Sequence, residues 1–206
     1  MKSLLLMCAL VTPVTAHPAS SASFTCPKLS YSVDGSDDAV AKMLVVTVRH
    51  EPEPADTGSP GLIWIALVPP SDAGQTPPLF FTLNQRWESW EGGLYVPAGR
   101  FDEGLPAAFS INSLVDRQYI GWSIYSGHGV LTEQAQRIVA ARRAILTAQR
   151  DHRIAAGTWS TSYDTDDQMK WSLVQKDAKD NGKYGLLAEV PNLICQNWGY
   201  NLNSGN

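Results

Sequence analysis

The sequence predicts a mainly β protein, antiparallel and sandwich-like, with one long α-helix, and therefore an α+β fold overall. Short runs rich in β-branched and aromatic residues recur between residues 29 and 125, separated by connections rich in proline, glycine and aspartate. Strands at this spacing are typical of a sandwich or a related antiparallel fold. A segment rich in alanine and arginine follows these runs and predicts the helix.

The chain begins with the pattern of a signal peptide. Met1 and Lys2 precede an apolar run, residues 4–11, that is too short to span a bilayer. Small residues that suit a cleavage site follow, so we expect a signal peptide over residues 1–16, or alternatively over residues 1–22. No later segment has about 18 consecutive apolar residues. The sequence therefore predicts a secreted, periplasmic or extracellular protein with no transmembrane segment.

The rest of the chain predicts one domain, residues 23–200, and a flexible polar tail, residues 201–206. Without the signal peptide, the cysteines are Cys26 and Cys195. In an oxidising compartment we expect them to form a disulfide, and two buried free thiols are the alternative. Closing a loop of about 170 residues stabilises a chain by roughly 5 kcal/mol in the chain-entropy model.

Two runs show the strand signal most clearly. Residues 44–48 (LVVTV) and 62–68 (LIWIALV) are β-prone and are bounded by EPEPADTGSPG and PPSDAGQTPP. The second run is apolar on both faces, which predicts a central strand covered on both sides. Further strands are expected at residues 79–83, 94–96, 108–111 and 119–125.

The helix is expected over about residues 132–156. Thr132 suits the N-cap, and Gly157 suits the end of the helix. Arg142 and Gln149 interrupt its apolar face, so a helix lying flat on a sheet would desolvate both groups at a cost. We therefore expect the helix to dock in part, with its distal turns projecting, or Arg142 to pair with a carboxylate.

After the helix, about residues 159–190 predict a hairpin-like unit. The segments MKWSLVQ and YGLLAEV flank KDAKDNGK, in which Asn181 and Gly182 favour a tight turn.

His128 lies between two glycines where the last strand before the helix ends. We interpret Gly127 and Gly129 as a hinge that lets the backbone leave the strand, with His128 pointing outward. No other histidine lies at metal-ligand spacing, and no G-x-S-x-G motif is present. We therefore predict a non-enzymatic protein with no catalytic residue and no cofactor.

Acidic residues suggest two alternatives. Glu88 and Glu91 lie in the aromatic segment from Trp87 to Phe101, and glycoside hydrolysis needs two carboxylates about 5 to 10 Å apart. Carbohydrate binding or hydrolysis, with a polysaccharide ligand, is therefore the alternative function. A second group of acidic residues lies close enough in sequence to share a calcium ion. This group lacks the glycine and the glutamate of an EF-hand loop, so we expect a solvated turn and no metal. Its members are Asp164, Asp166 and Asp167.

The predicted helix is basic, whereas the chain has a net charge of −4. That net charge argues against a nucleic-acid binder with a wholly basic surface. Arginine forks pair bidentately with carboxylates, and arginine and tryptophan are frequent anchors of protein interfaces. We therefore predict binding to a protein partner at the envelope or cell surface. The predicted binding residues are Trp87, Trp90, Arg137, Arg142, Arg143 and Arg150.

Three segments together resemble a known module: GLIWIALVPP, LFFTLNQRWESWEGG and AAFSINSLVDRQYIGWSIYSGHGVL. They cover about residues 61–131 and are similar to a β-sandwich module of secreted and surface proteins of proteobacteria, adhesin-like or pilus-associated. The matched positions are Trp87, Trp90, Gly92, Gly93, Tyr125, Gly127, His128 and Gly129. The resemblance implies an extracytoplasmic, non-enzymatic module with architectural tryptophans and glycines. A subunit of a secretion or conjugation apparatus is a further alternative.

Overall fold

The computed structural model describes residues 20–27, 43–158 and 166–193. The strands in these ranges are Ser21–Thr25 (β1), Met43–His50 (β2), Gly61–Val68 (β3), Leu79–Phe81 (β4), Trp87–Ser89 (β5), Gly99–Phe101 (β6), Phe109–Asp116 (β7), Ser123–Val130 (β8) and Tyr184–Glu189 (β9). The helices are Glu133–Ala155 (α1) and Asp166–Asp180 (α2). The fold is therefore mainly β with two helices, in agreement with the α+β class.

These strands form two antiparallel sheets. The first has the order β1-β2-β7, and the second has the order β5-β4-β3-β8-β9, with β6 also paired to β3. β3 pairs with β8 along its whole length, from Gly61 opposite Val130 to Val68 opposite Ser123. Every residue of β3 except Val68 is buried, as predicted for a central strand.

Hydrophobic clusters cover the second sheet on both faces. The first cluster contains residues of both sheets, including Val46 of β2 and Ile65 and Leu67 of β3. The second cluster joins Trp64 of β3 to helical residues such as Val174 of α2. Because successive side chains of a strand point to opposite faces, β3 contributes to both clusters.

The predicted hairpin-like unit at residues 159–190 is wrong in its first half, because MKWSLVQ lies in α2. The prediction of a single long helix is therefore wrong as well. Trp171, Val174 and Ala178 fall on one helical face and are buried in the second cluster. A short apolar run fits a strand or a helix equally well, and here packing against the sheet favours the helix. The turn at Gly182 and the following strand β9 agree with the prediction.

α1 occupies the predicted range and begins at the predicted cap, where Thr132 Oγ accepts a hydrogen bond from Ala135 N at 3.2 Å. Ala135 and Val139 are its buried residues. From Ala140 to its end, α1 carries mostly exposed side chains over about four turns. The helix therefore docks by its first turns alone, as the polar groups in its apolar face indicated.

Several predictions fall outside the described residues: the signal peptide at residues 1–16, the tail at residues 201–206, Asp164 and Cys195. The alternative signal peptide, residues 1–22, reaches into β1. Cys26 is bonded in a disulfide. Its pairing with Cys195 stays a prediction because Cys195 is outside the described ranges. Asp166 and Asp167 lie in the first turn of α2. Neither helix in the described part of the chain is long and apolar enough to cross a membrane.

Candidate functional site

The two predicted binding tryptophans pack on opposite faces of the second sheet. Trp87 joins the first cluster, with its ring centroid 5.3 Å from that of Phe81. Trp90 joins the second cluster, 6.1 Å from Phe80 and 5.6 Å from Tyr95 between ring centroids. Both indole N–H groups are buried and find no acceptor among the described residues. The two rings therefore do not form one open aromatic platform.

The carboxylates of this segment are surface groups. Glu88 pairs with the neighbouring Arg86, and Glu91 is exposed in the loop after β5. Trp87, with which Glu88 shares β5, packs toward the first cluster. The geometry thus provides neither the platform nor the enclosed carboxylate pair that a glycosidase site requires.

All four predicted binding arginines are exposed on α1: Arg137, Arg142, Arg143 and Arg150. Arg150 contacts Asp151 at 3.4 Å, and Arg143 makes a further interaction within the chain. One face of α1 combines exposed apolar and polar side chains at helical spacing. We name this face the α1 stripe, and it consists of Ile138, Arg142, Ile145 and Gln149.

A buried chain of polar side chains lies where β2 meets β8. His50 Nδ1 lies 2.8 Å from Ser126 Oγ, and His50 Nε2 lies 3.0 Å from His128 Nδ1. His128 Nε2 lies 2.9 Å from Asp56 Oδ2. Lys183 Nζ continues the chain at 2.7 Å from the same Asp56 oxygen.

Lys183 joins this chain to α2 through Asp177. Its Nζ lies 2.9 Å from Asp177 Oδ2, an oxygen that also accepts the backbone N–H of Val130 at 3.0 Å. Asn181 Nδ2 donates to the other Asp177 oxygen at 2.8 Å. We name the six side chains the buried polar network: His50, Asp56, Ser126, His128, Asp177 and Lys183.

The hydrogen-bond direction within the network follows from its chemistry. A carboxylate accepts hydrogen bonds, so Nε2 of His128 carries a proton and donates to Asp56. Burial lowers the pKa of His128, although the hydrogen bond to Asp56 acts in the opposite direction. In neutral His128, Nδ1 must accept from Nε2 of His50.

Lys183 is the cation of the network. Burial alone lowers the pKa of Lys183, but its hydrogen bonds and attraction to Asp177 and Asp56 outweigh that effect, and the pKa is raised. An ammonium group between two carboxylates satisfies all three groups in a buried position.

Ser126, His50, His128 and Asp56 lie in the order of a proton relay. The sequence did not predict this arrangement. A serine nucleophile must be reachable by its substrate, whereas Ser126 and His128 are each 3% exposed. The network is therefore suited to holding β2, β8, α2 and the segment before β9 together. A sequence signal for it is hard to find, because His50, Asp56 and Lys183 come from distant parts of the chain.

The prediction that His128 points outward from a hinge is wrong, because β8 continues through both glycines. His128 points into the network, and the glycine positions face the helical side. A Cβ at Gly129 would lie 2.2 Å from the backbone oxygen of Val174, and one at Gly127 would lie 2.7 Å from Cβ of Tyr184. The glycines thus let α2 and β9 approach β8 closely.

No group of three potential metal ligands occurs among the described residues. No family model, no curated protein and no solved structure matches this chain. The resemblance to a β-sandwich module of surface proteins stays a prediction.

Proposed function

We propose that this protein is an exported, non-enzymatic interaction protein that binds a protein partner at the envelope or cell surface through α1. The observation that supports this proposal is the exposure of the α1 stripe. Ile138 is 45% exposed and Ile145 is 51% exposed, on a helix with no buried residue after Val139 among the described positions. Large apolar side chains in such a row are a common feature of helices that bind a groove.

Apolar burial and charge pairing on α1 would both contribute to the free energy of binding. Burying an isoleucine side chain contributes roughly 1.5 to 3 kcal/mol, and two such residues one heptad apart can enter the same groove. Arg142 lies between them and can pair bidentately with a carboxylate of the partner. The partner is therefore expected to offer an apolar groove with acidic residues along its edge.

The carbohydrate alternative has less support. A sugar-binding platform needs exposed aromatic rings, whereas Trp87 and Trp90 pack into different clusters. In this proposal both tryptophans stabilise the fold, and the contacts of α1 supply the binding energy.

The proposal includes a sandwich-like pairing of the two sheets as a rigid base for α1. The shared first cluster supports this pairing, since residues of β2 and β3 pack in it together. Export is supported by the N-terminal sequence pattern and by the disulfide at Cys26. A subunit of a secretion or conjugation apparatus would use the same surface and differs in the identity of its partner.

Site-specific photo-crosslinking in intact cells is the test. A photoreactive amino acid replaces Ile145 in one version and Leu114 of β7, which is 48% exposed, in the control version. We expect a discrete crosslinked protein from position 145 and none from position 114. Equal crosslinking at both positions, or none at position 145, contradicts the proposal.

Charge variants complete the test. Replacing Arg137, Arg142 and Arg150 by Gln should abolish the crosslink from position 145. A matched variant, in which the exposed residues Arg49, Arg86 and Lys176 become Gln, should leave it unchanged. Both variants remove three positive charges, so equal loss would indicate a general charge effect and would contradict a role of α1.

A further inference from the structure

An apolar cavity of about 270 Å³ lies on the face of the second sheet that α2 covers in part. Six aromatic residues line it: Trp64, Phe80, Trp90, Tyr95, Tyr125 and Tyr184. Phe80 and Tyr95 are stacked with ring centroids 5.4 Å apart, and Trp64 meets Tyr95 edge-on at 6.1 Å. The cavity is separate from the α1 stripe.

The wall is held in place by polar contacts outside the cavity. Gln175 of α2 accepts from the backbone N–H of Tyr95 at 3.0 Å and donates to its carbonyl oxygen at 3.1 Å. The same carbonyl oxygen accepts the indole N–H of Trp64 at 3.2 Å. These bonds fix the segment around Tyr95, so the cavity is formed before any ligand arrives.

The lining indicates an apolar ligand rather than a sugar. It includes no aspartate, glutamate, asparagine or glutamine side chain among the described residues, so polar partners for sugar hydroxyl groups are few beside the apolar residues. An engineered apolar cavity of about 150 Å³ binds benzene. A cavity of about 270 Å³ accordingly has room for a longer hydrocarbon group.

Of the cationic side chains in the described ranges, Lys179 borders this apolar space. Lys179, in the last turn of α2, lines the cavity and is exposed. It forms no ion pair with any described residue, whereas Lys176 pairs with Asp180, and Lys183 pairs with Asp177. An ammonium that has no ion-pair partner in the described part of the chain and borders an aromatic cavity is complementary to a ligand with a hydrocarbon chain and one negative charge.

We propose that the cavity binds a medium-chain carboxylic acid, with its alkyl chain against the aromatic wall and its carboxylate paired with Lys179 Nζ. Contact with the alkyl chain supplies most of the affinity because the wall is apolar. The carboxylate contributes selectivity, because the pair with Lys179 lies at the solvent-exposed side of the cavity.

The test is titration of the purified full chain with decanoate, followed by tryptophan fluorescence and by calorimetry. Trp64 and Trp90 line the cavity, so a bound chain should change their emission. We expect saturable binding of decanoate, weaker binding of decanol and weak binding of butyrate. The neutral decanol separates the role of the charge from that of the chain.

Two lysine variants on α2 form a matched pair. Lys179→Gln should weaken decanoate binding up to about fivefold at low salt and leave decanol binding unchanged. Lys176→Gln should leave both unchanged, since Lys176 does not line the cavity. Both residues are exposed, so neither substitution should affect folding.

Several results would overturn the proposal: no saturable binding of decanoate, equal affinities for decanoate and decanol, or equal effects of the two lysine variants. A fluorescence change with an oligosaccharide in place of decanoate would assign the cavity to a sugar. These outcomes leave the crosslink from position 145 untouched, so failure here is distinguishable from failure of the proposed function.

Discussion

At the residue scale, the buried polar network shows how a fold can hold charges in its interior. Asp56, Asp177 and Lys183 are each 8% exposed, and an unpaired charge in such a position is costly. Lys183 pairs with both carboxylates, and each carboxylate accepts a further hydrogen bond from β8, Asp56 from His128 and Asp177 from the backbone N–H of Val130. The network therefore depends on the presence of every member.

Lys183→Met should destabilise the protein by about 3 to 5 kcal/mol, because two buried carboxylates lose their shared cation. The control, Lys176→Met, breaks an exposed pair with Asp180 and should cost under about 0.5 kcal/mol. Urea unfolding of the two variants measures the difference. Equal free energies of unfolding would show that the network does not stabilise the fold.

The burial of His128 predicts a pH dependence of the stability. Burial lowers the pKa of His128 in the folded chain, whereas the unfolded chain binds the same proton near pH 6.5. The stabilisation from neutral His128 is therefore complete above that pH and is lost as the pH falls through the folded pKa. His50, Asp56 and Lys183 face or approach the same ring; Lys183 acts with burial in lowering the pKa of His128, and Asp56 acts against it.

Urea unfolding between about pH 7.5 and about pH 5.5 should show stability falling with acidification. His128→Gln should lower the stability at every pH and flatten this dependence. His152→Gln serves as the control, since His152 is exposed on α1, and should retain the wild-type dependence. An unchanged slope in His128→Gln would contradict the assignment.

At the element scale, contact between α2 and β8 depends on a position without a side chain. Gly129→Ala places a Cβ 2.2 Å from the backbone oxygen of Val174, so α2 must move away from the sheet. We expect a loss of about 2 to 3 kcal/mol. Gly185→Ala in β9 meets no atom within 4 Å and should change stability by under about 0.5 kcal/mol. Thermal unfolding of both variants tests this contrast.

α1 and α2 should differ in local stability. A helical segment without buried side chains opens easily, because isolated helices of this length are marginal in water. Amide hydrogen exchange should therefore be fast in residues 143–155 and slow in α2, whose Trp171 and Val174 are buried. Binding of the proposed partner should slow exchange in α1 alone. Slow exchange in the free protein would mean that α1 has other support.

At the scale of the whole molecule, the second sheet is the central layer between the two hydrophobic clusters. β1 lies at an edge of the first sheet, and Cys26 follows it directly. A disulfide at this point holds an edge strand that has a single neighbouring strand in its sheet, β2.

Peptide mapping without reducing agent should find Cys26 linked to Cys195. Reduction should lower the melting temperature, since the bond restricts the unfolded chain. A linkage of Cys26 to Cys8 would contradict the prediction and would also show that the signal peptide is retained. Cys26→Ser should behave like the reduced protein.

Residues 94–96 form no strand, the strand expected at residues 119–125 lies at Ser123–Val130, and β1, β5 and β6 were not predicted. The sequence by itself determined the strands β2, β3 and β4, the burial of β3 as a central strand, and the range and partial docking of α1. These features depend on local periodicity, on caps and on the polar groups within an apolar face, all of which the chain displays directly. It also predicted the turn at Asn181 and Gly182, because that pair favours one backbone geometry.

Only the tertiary structure decided the roles of MKWSLVQ, the tryptophans and His128. A short apolar run such as MKWSLVQ fits a strand or a helix equally well until its packing partner is known. In the structure this run lies in α2, which packs against β8. Trp87 and Trp90 lie three positions apart, and once the segment is extended this odd spacing places them on opposite faces of the sheet. His128 acquired its role from His50, Asp56 and Lys183, which are distant in the chain and meet through long-range contacts that local sequence patterns do not encode.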